Sequence, residues 1–202
     1  MSVLESPAGE RRADSQRNRE ALLAAAAQAF AQGGIQVSAE EVARRAGVAK
    51  GTLFRHFPSK RDLVNAVAVD RLLQLRAAVA EVMATRTPGL AAVAELMSRG
   101  AELLAADRSF FAAATCGGPA DSCLGAAKLE LQLALDELVA GAQRSGEVRP
   151  EITGTDIAML MMAATNTCAP VQALQPQLWR RYLALMIDGL RPQSTSLPPA
   201  RP

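Results

Sequence analysis

The chain of 202 residues is half apolar, only 3% aromatic, and nearly neutral with a net charge of +2. This length is enough to bury a core, and the abundance of Ala and Leu favours helices, so we expect an all-α protein of two unequal domains. The small net charge excludes a polycation that coats nucleic acid, and the longest apolar run, residues 157–164, is far shorter than the ~20 residues that span a bilayer.

The N-terminal segment and the cysteines exclude further classes. Residues 1–14 lack the apolar stretch of a secretion signal, and we interpret them as a disordered arm of a cytoplasmic protein. The cysteines, Cys116, Cys123 and Cys168, are odd in number and lack metal-ligand spacing, which argues against a disulfide framework and a zinc site. Basic charge is concentrated near the N-terminus, since residues 1–62 carry 10 Lys and Arg against 7 Asp and Glu. Alone, this asymmetry is a weak nucleic-acid signal.

The first predicted helix spans residues 17–32. Leu22, Ala26 and Phe30 recur every four residues there and form one apolar stripe, and two glycines follow. This spacing predicts a helix that packs one face against its neighbours and ends at the glycines.

Two short helices follow. Ser38 begins the second in a capping box, in which its hydroxyl accepts from the amide of Glu41 while Glu41 reaches back. Gly47 ends it, since glycine readily adopts the left-handed conformation of a sharp turn. The third spans residues 49–56. Two helices joined by a glycine-containing turn are typical of a DNA-binding motif.

Six further helices bring the expected total to about nine. They are predicted at residues 62–86, at 88–105 with Pro88 in the first position, from Asp107 through Phe110 and Phe111, at 121–144, at 153–168 and at 176–190. We therefore predict a helix-turn-helix domain at 15–64, a second domain at 65–192 and a disordered tail at 193–202.

The stretch SAEEVARRAGVAKGTLFRHFPSK, residues 38–60, closely resembles the helix-turn-helix signature of the TetR (tetracycline repressor) family. The resemblance is strong over residues 17–64 and elsewhere rests on the helix pattern. It implies an all-α fold with an N-terminal three-helix DNA-binding head and a larger helical C-terminal domain for ligand binding and dimerisation. It implies no cofactor, and its partners would be a double-stranded DNA operator, a small effector and a second copy of the chain, with no membrane.

A recognition helix must expose its side chains to base edges while a packed helix supports it. By the resemblance, the DNA-facing positions are Lys50, Gly51, Thr52, Phe54, Arg55 and His56, and Lys60 matches the phosphate clamp. Ser38 is a further phosphate candidate because it lies at a helix N-terminus. The family often has Tyr where this chain has Phe54, so a phenolic hydrogen bond is missing.

The C-terminal candidates are less sharply defined. Flexible apolar and amide side chains suited to a mostly apolar effector are Met83, Phe110, Phe111, Cys116, Met159, Met162 and Asn166. An apolar stripe expected at the dimer interface comprises Trp179, Leu183, Met186, Ile187 and Leu190, with burial inside the same subunit as the competing interpretation.

These features favour a sequence-specific transcriptional regulator, a repressor that its ligand releases from a palindromic operator. An enzyme is disfavoured because the single histidine lies in the DNA-binding motif and no metal cluster or phosphate loop is evident. Two alternatives stay open: a redox sensor that uses the cysteines, and a partner-binding adaptor whose helix-turn-helix no longer reads DNA.

Overall fold

The computed structural model describes residues 7–85, 88–106, 122–171 and 173–198. Regular structure within these ranges is entirely helical, which confirms the all-α prediction. The α-helices are α1 (Pro7–Gly33), α2 (Ala39–Arg45), α3 (Lys50–His56), α4 (Lys60–Thr85), α5 (Leu90–Ala106), α6 (Cys123–Arg144), α7 (Gly154–Cys168) and α8 (Leu178–Asp188). Short 3-10 helices span Gly34–Gln36 and Ala169–Val171. The helix predicted around Phe110 and Phe111 lies outside the described residues.

The first helix begins earlier than the sequence indicated. It starts at Pro7 instead of residue 17, so residues 7–14, predicted to be part of a disordered arm, are helical. Proline suits the first turn of a helix because its missing N–H would have no intrahelical partner there. The apolar stripe predicts only the part of the helix that packs on a core. The polar N-terminal extension has no such stripe and so was not predicted.

Two later helices also differ from their predicted bounds. The helix expected from Pro88 begins at Leu90, since Gly89 supplies the first carbonyl, accepting from the amides of Ala92 and Val93 at 3.1 and 3.2 Å. The last helix, predicted at residues 176–190, is α8 and is shorter at both ends. No helix in the described part of the chain has the length and apolar composition needed to cross a membrane.

The chain divides into two compact units. The first comprises the described residues up to Ala68, which we call the head, and the second begins at Val69, so that α4 contributes residues to both. The core of the head is formed by α1, α2, α3 and the start of α4 and buries these apolar side chains: Leu22, Ala25, Ala26, Ala27, Ala29, Phe30, Ala39, Val42, Ala43, Leu53, Phe57, Leu63 and Val67.

In the second unit, α7 packs against α5, α6 and α8. The side chain of Met161 is buried at a close approach of helices, where a Cβ placed on Gly100 would lie 2.5 Å from its sulfur and 3.0 Å from Leu75 Cδ1. Glycine at position 100 thus lets α5 approach the neighbouring side chains of α4 and α7.

Three residues of the predicted dimer stripe are buried within their own unit. Trp179, Leu183 and Leu190 are 5%, 2% and 1% exposed and belong to the core of their own unit. Met186 and Ile187 are half-buried. The competing interpretation, burial within the subunit, therefore holds for three of the five residues, because α8 needs its most apolar face to pack against α7.

The predicted effector residues are also dispersed. Met159 is 57% exposed, so it does not line an interior pocket, and its neighbour Met161 is the buried methionine of that turn. Met83, Met162 and Asn166 are half-buried. Phe110, Phe111 and Cys116 lie outside the described residues.

A buried arginine holds the chain that follows α8. The guanidinium of Arg149 donates to the carbonyl of Thr195 and, at 3.5 Å, to that of Gly189, while its backbone amide donates to Leu190 at 3.0 Å. Part of the segment predicted to be a disordered tail is thereby attached to the α6–α7 turn.

Candidate DNA-binding surface

The entry to α2 follows half of the predicted capping box. Ser38 is extended (φ −74°, ψ 154°), and its hydroxyl accepts from the amide of Glu41 at 3.2 Å. The Glu41 carboxylate instead accepts from Arg44 and Arg45, at distances between 2.7 and 2.8 Å. These two guanidinium groups, Arg44 foremost, lower the Glu41 pKa to about 2. Arg44 and Arg45 therefore share one carboxylate, which offsets half of their combined charge.

The turn between α2 and α3 has the geometry that the sequence predicted. Gly47 adopts φ +69°, in the left-handed region, and donates to Arg44 O at 3.2 Å. Val48 donates to Ala43 O at 3.0 Å. These two bonds form a Schellman motif, which satisfies the last carbonyls of α2 and redirects the chain into α3.

Helix α3 has a buried side and an accessible side, as a recognition helix requires. Leu53 and Phe57, at its inner side, are 0% and 2% exposed and anchor it in the head core. The predicted DNA-facing positions are exposed or half-buried: Lys50, Gly51, Phe54 and Arg55 are exposed, and Thr52 and His56 are half-buried. All six predicted α3 residues are therefore at least partly accessible, while Leu53 and Phe57 anchor the helix in the head core.

Lys50 is not a free charge in this structure. Its ammonium group forms an ion pair with Glu40 of α2 and lies 5.8 Å from the ring centroid of Phe54. The hydrogen bond from Lys50 is the largest of the contributions that lower the Glu40 pKa. The local sequence pattern does not predict this ion pair, because the contact depends on how α2 and α3 cross.

The start of α4 carries the remaining predicted residue. Ser59 Oγ accepts from the amide of Asp62 at 3.2 Å, and the Asp62 carboxylate accepts from the amide and hydroxyl of Ser59 at 2.9 and 2.7 Å. This reciprocal cap fixes Lys60 as the first residue of α4, half-buried and near free backbone amides. Phosphate binding by Lys60 and Ser38 remains a prediction.

Arg45 and Arg19 add two contacts that hold α1 against the motif. Arg45 donates to Gln32 Oε1 at 2.8 Å, and the Arg19 guanidinium carbon lies 5.1 Å from the centroid of the Phe57 ring. Sequence periodicity could not reveal these contacts, since they join charged residues to partners far along the chain.

Comparison with known protein families identifies the family of this chain. Residues 22–67 match the family described as bacterial regulatory proteins of the tetR family, and residues 87–192 match the SbtR-like transcriptional regulator C-terminal domain. The second match alone spans more than half of the chain. The chain belongs to the TetR family.

Solved structures of TetR regulators have the same fold. A TetR regulatory protein from Mycobacterium vanbaalenii is 33% identical over 90% of this chain and 99% of its own, with a TM-score of 0.65. A TetR regulator from Streptomyces coelicolor is 30% identical over 87% and 99%, with a TM-score of 0.63. FadR of Bacillus subtilis, solved with stearoyl-CoA, is 19% identical over 85% and 99%, with a TM-score of 0.64, and so shows the fold alone.

As a TetR-family member, the chain is a DNA-binding transcriptional regulator with a ligand-binding C-terminal domain. Repression and dimer formation are typical of this family. The head contains the whole helix-turn-helix, and no group of His, Cys, Asp and Glu in the described ranges could hold a metal ion.

Proposed function

We propose that this TetR-family regulator is a repressor that binds a palindromic operator as a dimer and leaves it when a small, mostly apolar effector binds. The observation that carries the proposal is α3, whose six candidate residues are accessible while Leu53 and Phe57 hold it in the head core. A helix supported in this way enters a major groove without rearranging. The protein acts by binding energy alone, without a catalytic step, in the cytoplasm where the chromosome lies.

Within α3, Thr52 and Arg55 are the proposed readers of base edges. Arg55 is long enough to offer two parallel donors to a guanine, and Thr52 offers a hydroxyl and a methyl group. His56 and Phe54 lie beside them, while Ser38 and Lys60 are the proposed contacts to phosphates that set the register.

The role proposed for Gly51 is to let the α3 backbone approach DNA. A Cβ placed on Gly51 meets nothing within 4 Å, and its φ is not in the left-handed region. The head itself therefore does not require glycine here. Any requirement for glycine at this position would therefore come from a partner outside the protein. The exposed side of α3 is where DNA would bind.

For the dimer, we propose the outer face of α7 and α8 in place of the buried stripe. The exposed residues of this face are Thr155, Met159, Ala163, Tyr182 and Leu185. Met159, Tyr182 and Leu185 are 57%, 42% and 62% exposed, and exposed apolar side chains on two helices that pack together can mark an interaction site. Burial against a second copy would remove these side chains from water, and a two-fold dimer fits a palindromic operator.

The effector is proposed to bind inside the second unit. The core there contains the buried methionines Met97 and Met161, whose flexible side chains can repack around an apolar ligand. FadR shares the fold at low identity and is known in complex with stearoyl-CoA, so this fold accommodates a long acyl chain. Among the predicted effector contacts that the structure describes, Met83, Met162 and Asn166 are half-buried and stay candidates.

Effector and operator binding are coupled through the distance between the two heads of the dimer. Each ligand favours a different distance, so binding of one shifts the population away from the conformation that binds the other. Operator binding favours heads about 34 to 36 Å apart, so that two α3 helices enter successive major grooves. An effector that prefers another spacing lowers operator affinity by its coupling free energy, typically 1–3 kcal/mol or about 5- to 150-fold. Helix α4, which contributes to both units, is the continuous element through which such a shift would pass.

The test is a selection of random duplex DNA by the purified protein, repeated with the Thr52→Ala, Arg55→Ala double variant. We expect an inverted repeat that the double variant fails to recover. Arg144→Ala, an exposed arginine of α6, is the matched control and should select the same repeat. If no sequence is enriched, or the double variant enriches the same one, α3 does not read DNA, and an adaptor function would replace the repressor.

A further inference from the structure

A polar cleft opens in the head between the N-terminal half of α1 and the recognition helix. Its volume is about 440 Å³. The side chains that line it are Asp14, Ser15 and Asn18 from α1 and Thr52, Arg55 and His56 from α3. Half of the lining therefore comes from the residues proposed to face DNA, and the other half from a helix that the helix-turn-helix motif does not include.

A contact next to the cleft holds α1 beside the end of α3. The Arg19 guanidinium lies over the ring of Phe57, which immediately follows α3 and is 2% exposed. Asn18, next to Arg19, is half-buried, whereas Asp14 and Ser15 are exposed one turn further out. Because α1 continues to Pro7, the wall formed by α1 is a continuous helix and not a loose arm.

The lining is chemically suited to nucleic acid backbone and unsuited to an apolar ligand. Hydroxyl, amide, imidazole and guanidinium groups are the side chains that contact phosphate and sugar oxygens in protein–DNA complexes. None of the six side chains is a large apolar one, unlike the lining of typical small-molecule pockets. The single carboxylate, that of Asp14, is already engaged in an ion pair with Arg17.

We propose that the α1 wall of this cleft holds the sugar–phosphate backbone of the operator strand bordering the groove that α3 enters, through Ser15 and Asn18, while Thr52 and Arg55 on the opposite wall reach the base edges. The inference rests on the proposed function and extends its DNA surface from the helix-turn-helix to α1. The α1 contacts are to backbone and carry no base information, so they strengthen binding to operator and to other DNA alike. Asp14 limits that strengthening by placing a carboxylate beside the phosphate.

A matched pair of charge substitutions on α1 tests the cleft. Asn18→Asp adds a negative charge inside it, and Gln16→Glu adds the same charge two residues away, at an exposed position that pairs with Glu20 and does not line the cleft. Measured by fluorescence anisotropy on the selected operator and on a scrambled duplex, Asn18→Asp should weaken both at least about tenfold. Gln16→Glu should change both by less than about threefold, since an exposed charge is largely screened by salt.

Neutral substitutions show whether a loss of DNA affinity comes from a lost contact. They add no charge, and their effect on folding is measured separately. Asn18→Ala and Ser15→Ala should each weaken binding about three- to tenfold without changing its salt dependence, since no charge is removed. Asp14→Asn should strengthen it. In ethylation interference, one phosphate whose modification blocks the wild-type protein should become tolerant in Asn18→Ala, with thermal unfolding unchanged.

Equal effects of Asn18→Asp and Gln16→Glu, together with unchanged binding by Asn18→Ala, would overturn the cleft proposal. Such a result would leave the proposed function intact if the Thr52→Ala, Arg55→Ala variant still loses the operator. If the wild-type protein itself selects no DNA, the proposed function fails, and the cleft proposal fails with it.

Discussion

In the head, the residues proposed to act lie on the surface of a closed core, whereas in the second unit they divide between the interior and an outer apolar face. The signals that shape the head are local: the Ser38 cap, the left-handed Gly47 turn and the Ser59 cap all lie within about twenty residues of sequence. In the second unit, the helices that pack together are further apart in the sequence. Each apolar face could pack against more than one neighbouring helix. The exposed residues of a short, locally specified motif can therefore be predicted from sequence, whereas those of a large helical unit cannot.

The strongest test of this contrast removes the support of the head. Leu53→Ala deletes a fully buried side chain beneath α3, and we expect a loss of about 2–5 kcal/mol in the stability of the head. Operator binding should vanish while the dimer persists, because the proposed dimer face lies in the second unit. Circular dichroism melts and sedimentation measure the two properties. Loss of the dimer as well would mean that the units do not behave separately.

The next test concerns the outer face of α7 and α8. Leu185→Lys should weaken the dimer at least about tenfold, since a lysine at a buried interface loses its hydration. Leu129→Lys, on the exposed side of α6 with nearly the same exposure, 61% against 62%, is the matched control and should leave the dimer unchanged. Sedimentation equilibrium over a concentration series distinguishes them. A stronger effect of Leu129→Lys would move the interface to α6.

Gly51→Ala separates folding from DNA binding within the head. Because its Cβ would meet nothing within 4 Å, the variant should fold with unchanged or up to about 1 kcal/mol greater stability, as alanine favours helices over glycine. Operator affinity should nevertheless fall about tenfold, because the added methyl group would stand between the α3 backbone and DNA. Thermal unfolding and anisotropy are measured on the same sample. Unchanged affinity would show that the backbone does not approach DNA at this point.

A smaller effect of opposite sign is expected from Glu40→Gln. Removing this carboxylate frees Lys50 from its ion pair and removes a negative charge near the phosphates, so DNA affinity should rise about two- to fivefold. The salt dependence should steepen by up to about 0.9 in log–log slope. In a Lys50→Gln background most of the gain should disappear. Weaker binding instead would mean that Glu40 orients Lys50 for its contact.

The smallest effect is a pH dependence arising from Glu41. Arg44 and Arg45 lower its folded-state pKa from 4.5 to about 2, so the carboxylate stabilises the head above pH 4.5 and loses that contribution as the pH falls toward 2. Glu41→Gln should flatten the acid limb of the stability curve in this window and leave stability near pH 7 only slightly lower, since the ion pairs are exposed. Urea unfolding between pH 2 and 6 measures it. An identical acid limb in both proteins would contradict the assignment.

The sequence by itself determined the helical class, the helix-turn-helix and the accessible side of α3, because caps, a left-handed glycine and a 3.6-residue apolar period act over short distances. It did not reveal the extension of α1 to Pro7, because a polar helix has no apolar stripe to mark it. Only the tertiary structure decided that Trp179 and Leu183 turn inward, that Met161 and not Met159 is buried, and that Glu40 holds Lys50. Those outcomes depend on which helix face meets which neighbour. Burial free energy is nondirectional, so it attracts apolar faces to any apolar partner, and only the packed arrangement selects one.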